Sequence, residues 1–343
     1  MDAVTLSPGL LGGDPAPDMT TEFLGRTFAY PFGIAPVGMS GVIWPDAERL
    51  LARVGREAGI PFGLSTVAAA TPEDVASALG PEAWFQLYTP RDPDMRRDIL
   101  ARARDAGFST LVLTVDVPLL SRRPRELKAR LASPMRLTPR VLFQSALCPA
   151  WALGHLGRPI PRPKIFDKYI KGMSPAAGDK HIGLTLRCAP DWDYFRALRD
   201  EWDGPLIVKG VLGATEAQAL IEAGADALWV SNHAGRQFDA APAPLPALVA
   251  IRAALGGDVP LIYDGAVRSG TDVLRALALG ADLVMLGRGF HYGLGAAGLE
   301  GARQVVHVLS EELRLDMAQL AINRPQDVRG RATVTWPETT TLP

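Results

Sequence analysis

In the ten residues VSNHAGRQFD, Val230 to Asp239, an apolar run ends in a histidine, with an arginine three positions later. Histidine is the side chain whose ordinary pKa lets it exchange protons near neutral pH, so His233 is a candidate general base. Asp116, in LTVDV, is a carboxylate from another apolar run that can orient the ring and stabilise its cation. Arg236 beside such a base suits a carboxylate-bearing substrate, which a guanidinium holds through two parallel hydrogen bonds. A lone histidine is more often structural; its neighbours favour the catalytic reading.

Lys209 ends the run LIV in PLIVKG, whereas Lys128, Lys164, Lys168, Lys171 and Lys180 lie in or beside one basic stretch. A lysine in that place needs an anionic partner to offset burial, or its amine snorkels to the surface. Farther on, DGAVRSGTDVLRALALG and GRGF combine glycine turns, helix starts and the arginines Arg268 and Arg288. Exposed backbone N–H groups at such helix starts hold phosphate.

The elements that must position these groups share one grammar. In REAGIPFGLST, RDAGFSTLVLTVD, IEAGADALWVSN and LALGADLVMLGR a helical pattern closes on glycine, and a short run of branched apolar residues follows. Glycine supplies a left-handed helix cap, and the run suits a parallel strand buried on both faces. With FGIAPVG, WFQLY, PLIVKG and PLIYDGA there are eight such strands, which predicts an α/β fold, the (β/α)8 TIM barrel, with an open doubly wound sheet as the alternative. Polar residues recur at the strand ends: Ser65 and Thr66, Gln86 and Tyr88, Thr114 and Asp116, Lys209, Ser231 and His233, Asp264, then Gly287 and Arg288. Barrel active sites are built at that end. The whole chain, 1–343, reads as one domain with a Pro/Gly-rich leader over 1–20. Residues 121–180, rich in Arg, Pro and Lys, form a long loop after the fourth strand, either a mobile active-site insertion or a solvated excursion.

Bulk composition excludes several classes. A net charge of -1 and a hydrophobic fraction of 48% over 343 residues fit a globular protein with no nucleic-acid partner. Cys148 and Cys188 lack CxxC spacing, so neither a disulfide framework nor a metal site is expected. There is no signal-peptide pattern, and no apolar stretch reaches the roughly 18 residues of a membrane span. A cytoplasmic location is the expectation.

Taken together, these segments resemble the FMN-dependent 2-hydroxy acid oxidase and dehydrogenase family, which includes glycolate oxidase, lactate oxidase, mandelate dehydrogenase and flavocytochrome b2. The likeness runs from about residue 20 to 325. SNHAGRQFD is similar to the family's SNHGGRQLD, and LTVDVPLLSRR, WFQLY, LIVKGV, DGAVRSGTDVLRALALGA and MLGRGF match in the same order. The resemblance implies FMN as cofactor, a 2-hydroxy acid as substrate, O2 or a quinone or other carrier as electron acceptor, and a homotetramer. It casts His233 as base and Asp116 as its partner, Arg236 and Arg123 as the carboxylate pair, and Tyr88 as the phenol near the substrate oxygen. Lys209 would face the N1/O2 edge of the flavin, as an electrostatic stabiliser. Ala35, Pro36, Val37, Ser65, Gln86 and Thr114 would hold the ring system. Asp264 and Ser231 would sit near it or its ribityl chain, and Gly265, Arg268, Gly287 and Arg288 near the phosphate.

Departures from the family pattern carry information. Its members place a substrate-contacting tyrosine in an N-terminal helical segment; here a short leader precedes DMTTEFLGRTF, and Tyr30 lies too near the first strand for that role. Gly38 stands where many oxidases have Ala, and Val67 where glycolate oxidase has Trp, both leaning towards a larger, aromatic substrate. Ala234, Ala266 and Gly289 replace family residues near base and phosphate. Two rival readings stay open: a flavoenzyme of this fold acting on an amino-acid- or peptide-derived biosynthetic intermediate, and a flavin-binding protein without turnover.

Overall fold

The computed structural model describes residues 1–119, 138–170 and 186–336. Its strands are β1 (Val4–Leu6), β2 (Thr21–Phe23), β3 (Arg26–Phe28), β4 (Phe32–Ile34), β5 (Phe62–Ser65) and β6 (Ala83–Leu87), followed by β7 (Thr110–Thr114), β8 (Leu206–Val211), β9 (Ala227–Val230), β10 (Leu261–Tyr263), β11 (Leu283–Leu286) and β12 (Ala332–Val334). Strands β4 to β11 form a closed parallel barrel, sealed where β11 pairs with β4 in the register Val284↔Phe32, Met285↔Gly33 and Leu286↔Ile34. That seam removes the open-sheet alternative. Helices such as Ala47–Ala58, Pro93–Asp105 and Gly270–Ala278 connect the strands and cover their outer faces.

Side chains alternate along each strand between the barrel interior and the helix layer. Trp84, Val112, Ile207, Trp229, Ile262 and Met285 point inward into one cluster, while Phe85, Leu111, Val208, Leu228, Leu261 and Val284 pack outward under the helices. Hairpin β2–β3 closes the floor of the barrel with Phe23 and Phe28, whose rings lie 6.0 and 6.5 Å from that of Trp84. One period of two farther along the same strands stand Gln86, Thr114, Lys209, Ser231, Asp264 and Gly287. The apolar plug therefore ends in a polar layer at the C-terminal mouth.

Val4–Leu6, inside the stretch read as a leader, pairs antiparallel with Ala332–Val334 and joins the two ends of the chain. The described middle of the 121–180 stretch holds two short helices, Pro139–Ala146 and Pro149–His155, and a 3-10 turn, Lys164–Lys168. Ile165 and Phe166 of that turn are buried in the outer core. Trp151 Nε1 donates to Val42 O at 3.1 Å, Arg158 meets Asp46 at 2.7 Å, and Lys168 meets Asp98 at 2.6 Å. These ties hold the helices against the rim of the barrel.

Candidate active site

A cavity of about 1600 Å³ opens at the C-terminal mouth. Ala35, Pro36, Val37 and Gly38 line it from the loop after β4; Gln86, Tyr88 and Thr114 line it from β6 and β7. Lys209, His233, Arg236, Asp264, Gly265, Gly287 and Arg288 complete the wall. Three further sequence-predicted residues stand one layer behind. Ser65 is buried against Gln86, Ser231 is fully buried against Lys209, and Asp116 backs His233.

Arg268 is not brought to the cavity. Its side chain is largely exposed, with its guanidinium 3.5 Å from Asp2 and 4.0 Å from Asp272. Tyr30 stacks on Phe32, with ring centroids 5.2 Å apart, and does not line the cavity. Arg123 and the parts of 121–180 at 121–137 and 171–180 lie outside the described residues.

The electrostatic centre is Lys209, only 5% exposed. Its ammonium donates to Asp264 Oδ2 at 2.6 Å and to Ser231 Oγ at 2.7 Å, and lies 4.6 Å from the centre of the Trp229 ring. Trp229 Nε1 donates to the same Asp264 oxygen at 3.0 Å. The anionic partner that burial of a lysine demands is thus Asp264, supplied by the end of β10.

The histidine turn is conformationally strained. His233, Ala234 and Gly235 have φ of 55°, 58° and 68°, three consecutive left-handed residues. For a residue with a Cβ this costs about 1–2 kcal/mol. Two contacts hold the turn: His233 N donates to Ser231 Oγ at 3.1 Å, and Gly235 N to Asn232 Oδ1 at 3.3 Å. The turn brings His233 Nδ1 to 3.2 Å from Asp116 Oδ2. Asp116 can approach because residue 210 is glycine, with φ 104°; a Cβ there would fall 2.5 Å from the Asp116 Cβ. With Nδ1–H facing a carboxylate, the lone pair of the neutral ring is on Nε2.

Across the mouth, Ser65 Oγ donates to Gln86 Oε1 at 2.7 Å, and Gln86 Nε2 donates to Thr114 Oγ1 at 2.9 Å. This ladder orients the amide and leaves its second N–H for an acceptor above. Opposite, Gly287 begins the helix Arg288–Gln319 with no side-chain cap, so the first N–H groups of the helix are available to an anion. A planar acceptor ring over Gln86 and Lys209, with a phosphate at Gly287 and Arg288, fits this donor set.

The chain belongs to the FMN-dependent dehydrogenase family. Residues 1–335 match the model of that family, described as FMN-dependent dehydrogenase. An L-lactate dehydrogenase of Pseudomonas aeruginosa is 37% identical over 322 residues, covering 92% of this chain and 84% of the relative. A crystal structure of the monotopic membrane protein (S)-mandelate dehydrogenase superposes with a TM-score of 0.89 at 32% identity, covering 97% of this chain and 89% of that one. A mandelate oxidase bound to (S)-2-phenylpropionate gives 0.79 at 31%, with 97% and 86% covered. The protein is an FMN enzyme on a (β/α)8 barrel, and its donor set suits that cofactor.

Several residues of this family member's site were not singled out from sequence. Glu48, buried in the first turn of Ala47–Ala58, accepts from Gly41 N at 3.3 Å and Ala69 N at 2.8 Å, joining the loops after β4 and β5. Burial pushes its carboxyl up from the usual range, against those backbone donors. Arg187 lies 4.1 Å from the centre of the Tyr88 ring and donates to Val117 O at 3.0 Å; burial pulls its pKa down. Trp229 and His291 are also buried beneath the mouth. The two substitutions noted for substrate size touch each other: a Cβ on Gly38 would fall 2.5 Å from Val67 Cγ2.

Proposed function

We propose that this enzyme oxidises a 2-hydroxy acid with a bulky, aromatic side chain, of the mandelate type, to the 2-oxo acid. The carrying observation is that His233, backed by Asp116, shares one cavity with Arg236, Lys209 and the side-chain-free position Gly38. Arg236, with Arg123, binds the substrate carboxylate, and Tyr88 donates to the substrate oxygen. Bound FMN supplies the two-electron acceptor for the Cα–H bond. His233 Nε2 receives one proton: from the hydroxyl when the Cα hydrogen leaves with its electron pair, or from Cα when it leaves as a proton. Asp116 keeps Nδ1 protonated and favours the imidazolium that results. Lys209 would help hold the flavin and favour its reduced, more negative form. Anaerobic titration with glycolate, lactate, mandelate and 4-hydroxymandelate tests the reading: the aromatic acids bleach the flavin at the lowest concentrations, and bleaching by none of the four would overturn it.

A second reading, oxidation of an amino-acid- or peptide-derived intermediate, is favoured by one feature. Beyond the space assigned to the cofactor, the cavity continues outward between Arg49, Trp151, His155 and Ile160. Saturation by such a compound at concentrations that leave mandelate inert would establish it.

We place the enzyme on the cytoplasmic side of the membrane, as a homotetramer, with a membrane quinone as acceptor. Among the described residues no helix is long and apolar enough to span a bilayer. Yet Leu142, Phe143 and Leu153 on the two short rim helices, and Leu147 and Leu156 just past their ends, are more than half exposed, and residues 121–180 carry thirteen Lys and Arg against three acidic residues. Apolar anchors within a basic field suit an anionic bilayer surface. The structurally similar (S)-mandelate dehydrogenase is itself a monotopic membrane protein. Co-sedimentation with vesicles containing anionic lipid, lost in Phe143→Asp/Leu153→Asp, supports this placement; equal recovery of both proteins in the supernatant contradicts it.

A further inference from the structure

Behind the cofactor loops lies a buried chain of hydrogen bonds that the chemistry above does not use. His291, 8% exposed, sits in the first turn of Arg288–Gln319. Its Nδ1 is 2.8 Å from Gly287 O, its Nε2 is 2.7 Å from Ser40 Oγ, and Ser40 Oγ is 3.0 Å from Val37 O. The chain therefore runs from one carbonyl to another, through an imidazole and a hydroxyl. Gly287 opens the helix start assigned to the phosphate, and Val37 belongs to the loop assigned to the flavin ring.

Counting hydrogens shows what this arrangement requires. Three contacts need three hydrogens, and both terminal carbonyls can only accept. A neutral histidine and a serine provide two between them, so one contact would set lone pair against lone pair. An imidazolium provides the third. We propose that His291 is a positioning residue for FMN, and that it takes up a proton as FMN binds, drawing the loops at Gly287 and Val37 together around the cofactor. The proposal rests on the FMN reading and extends it to a residue outside the cavity wall.

The surroundings make the proton conditional. Burial pulls the His291 pKa down, while the Gly287 carbonyl opposes that shift. Glu48 is the other titratable group among the described residues lining a closed space of about 10 Å³ beneath Ser40, Ser65 and His291. That space is about one water molecule in size. Burial pushes Glu48 towards its neutral form too. A phosphate anion at the Gly287 helix start would add the negative field that favours the imidazolium over the neutral ring.

The test is FMN affinity of the apo-protein against pH, followed by flavin fluorescence between about pH 6 and 9. Protonation that accompanies binding makes Kd rise with pH, by up to about tenfold per unit, between the free and bound pKa of His291. His291→Gln, which cannot titrate, loses that slope, leaving only the phosphate's own ionisation, common to both proteins. Ser40→Ala keeps the imidazole but removes the contact that needs the third hydrogen, and it loses the slope as well. Calorimetry in two buffers of different ionisation enthalpy reads the same proton directly. Equal slopes in wild type and both variants overturn the proposal, whereas failure of wild type to bind FMN at any pH overturns the cofactor reading itself.

Discussion

His233 Nδ1 lies 3.2 Å from Asp116 Oδ2 across the mouth of the barrel, although 117 positions separate the two residues. The pair exists because β8 lies between β7 and β9, whose ends carry Asp116 and His233, and Gly210 of β8 leaves room for the carboxylate. Asp116→Asn keeps the shape but offers an amide where a carboxylate held the Nδ1 hydrogen. Turnover should fall by about 10²–10⁴, with FMN affinity changed little, as read by steady-state rates beside flavin titration.

Lys209 and Asp264 form a buried ion pair, with side-chain exposures of 7% and 17%. Lys209→Met removes one partner and leaves the other charge uncompensated. Breaking such a pair costs about 3–5 kcal/mol, and Lys209→Met/Asp264→Asn recovers much of the loss because no isolated charge is left. Urea unfolding of the apo-proteins measures both. FMN affinity should stay low in both variants, because both lack the cation.

On the proposed aromatic substrate, Gly38 and Val67 would act as one unit in substrate choice. Gly38→Ala presses on Val67 Cγ2, narrowing the space for an aromatic side chain. The kcat/KM for mandelate should drop about 10- to 100-fold, the range for a misplaced methyl in a pocket, with lactate affected less. Val67→Ala in the same chain restores part of the mandelate activity. Additive losses in the double variant would show that the two positions are independent.

Glu57 links the helices that carry Glu48 and His291. It meets Arg303 at 2.9 Å and Arg53 at 2.6 Å, and the hydrogen bonds from Arg303 hold its carboxyl at about 2, below the usual 4.5. A folded-state pKa below the unfolded one contributes stability above pH 4.5 that is lost as pH falls towards 2. Glu57→Gln should therefore lower Tm at pH 7 and leave it unchanged near pH 2, a difference thermal melts across that range detect.

The legible part of this molecule is what repeats locally. The barrel strands announce themselves as apolar runs, and in β6 to β10 the inward polar residue falls two positions beyond the last inward apolar one, as with Trp229 and Ser231 or Ile262 and Asp264. Lys209 was readable because a charge ending an apolar run is conspicuous, and Arg236 because it lies three positions beyond the histidine that ends one. The pairing of β1 with β12 was not readable, since Val4 and Val334 carry no signal of each other. Nor was the helical middle of the basic insertion, where Pro, Arg and Gly mask two short helices, the first capped by Thr138. Arg268 sits in a stretch that suits phosphate, but its side chain turns towards Asp2 and Asp272, because the helix start there already binds Asp272 to Arg268 N at 3.0 Å. Ser40, Glu48 and His291 are ordinary residues locally, and only the closed barrel makes them neighbours.

The role of His233 as the base is addressed directly by one rapid-mixing experiment. Wild-type and His233→Asn enzymes, both loaded with FMN, are mixed anaerobically with mandelate while flavin absorbance is followed. Both should bind FMN, and the variant should bleach slower by at least about 10²-fold. Equal bleaching rates in the two proteins would contradict that role.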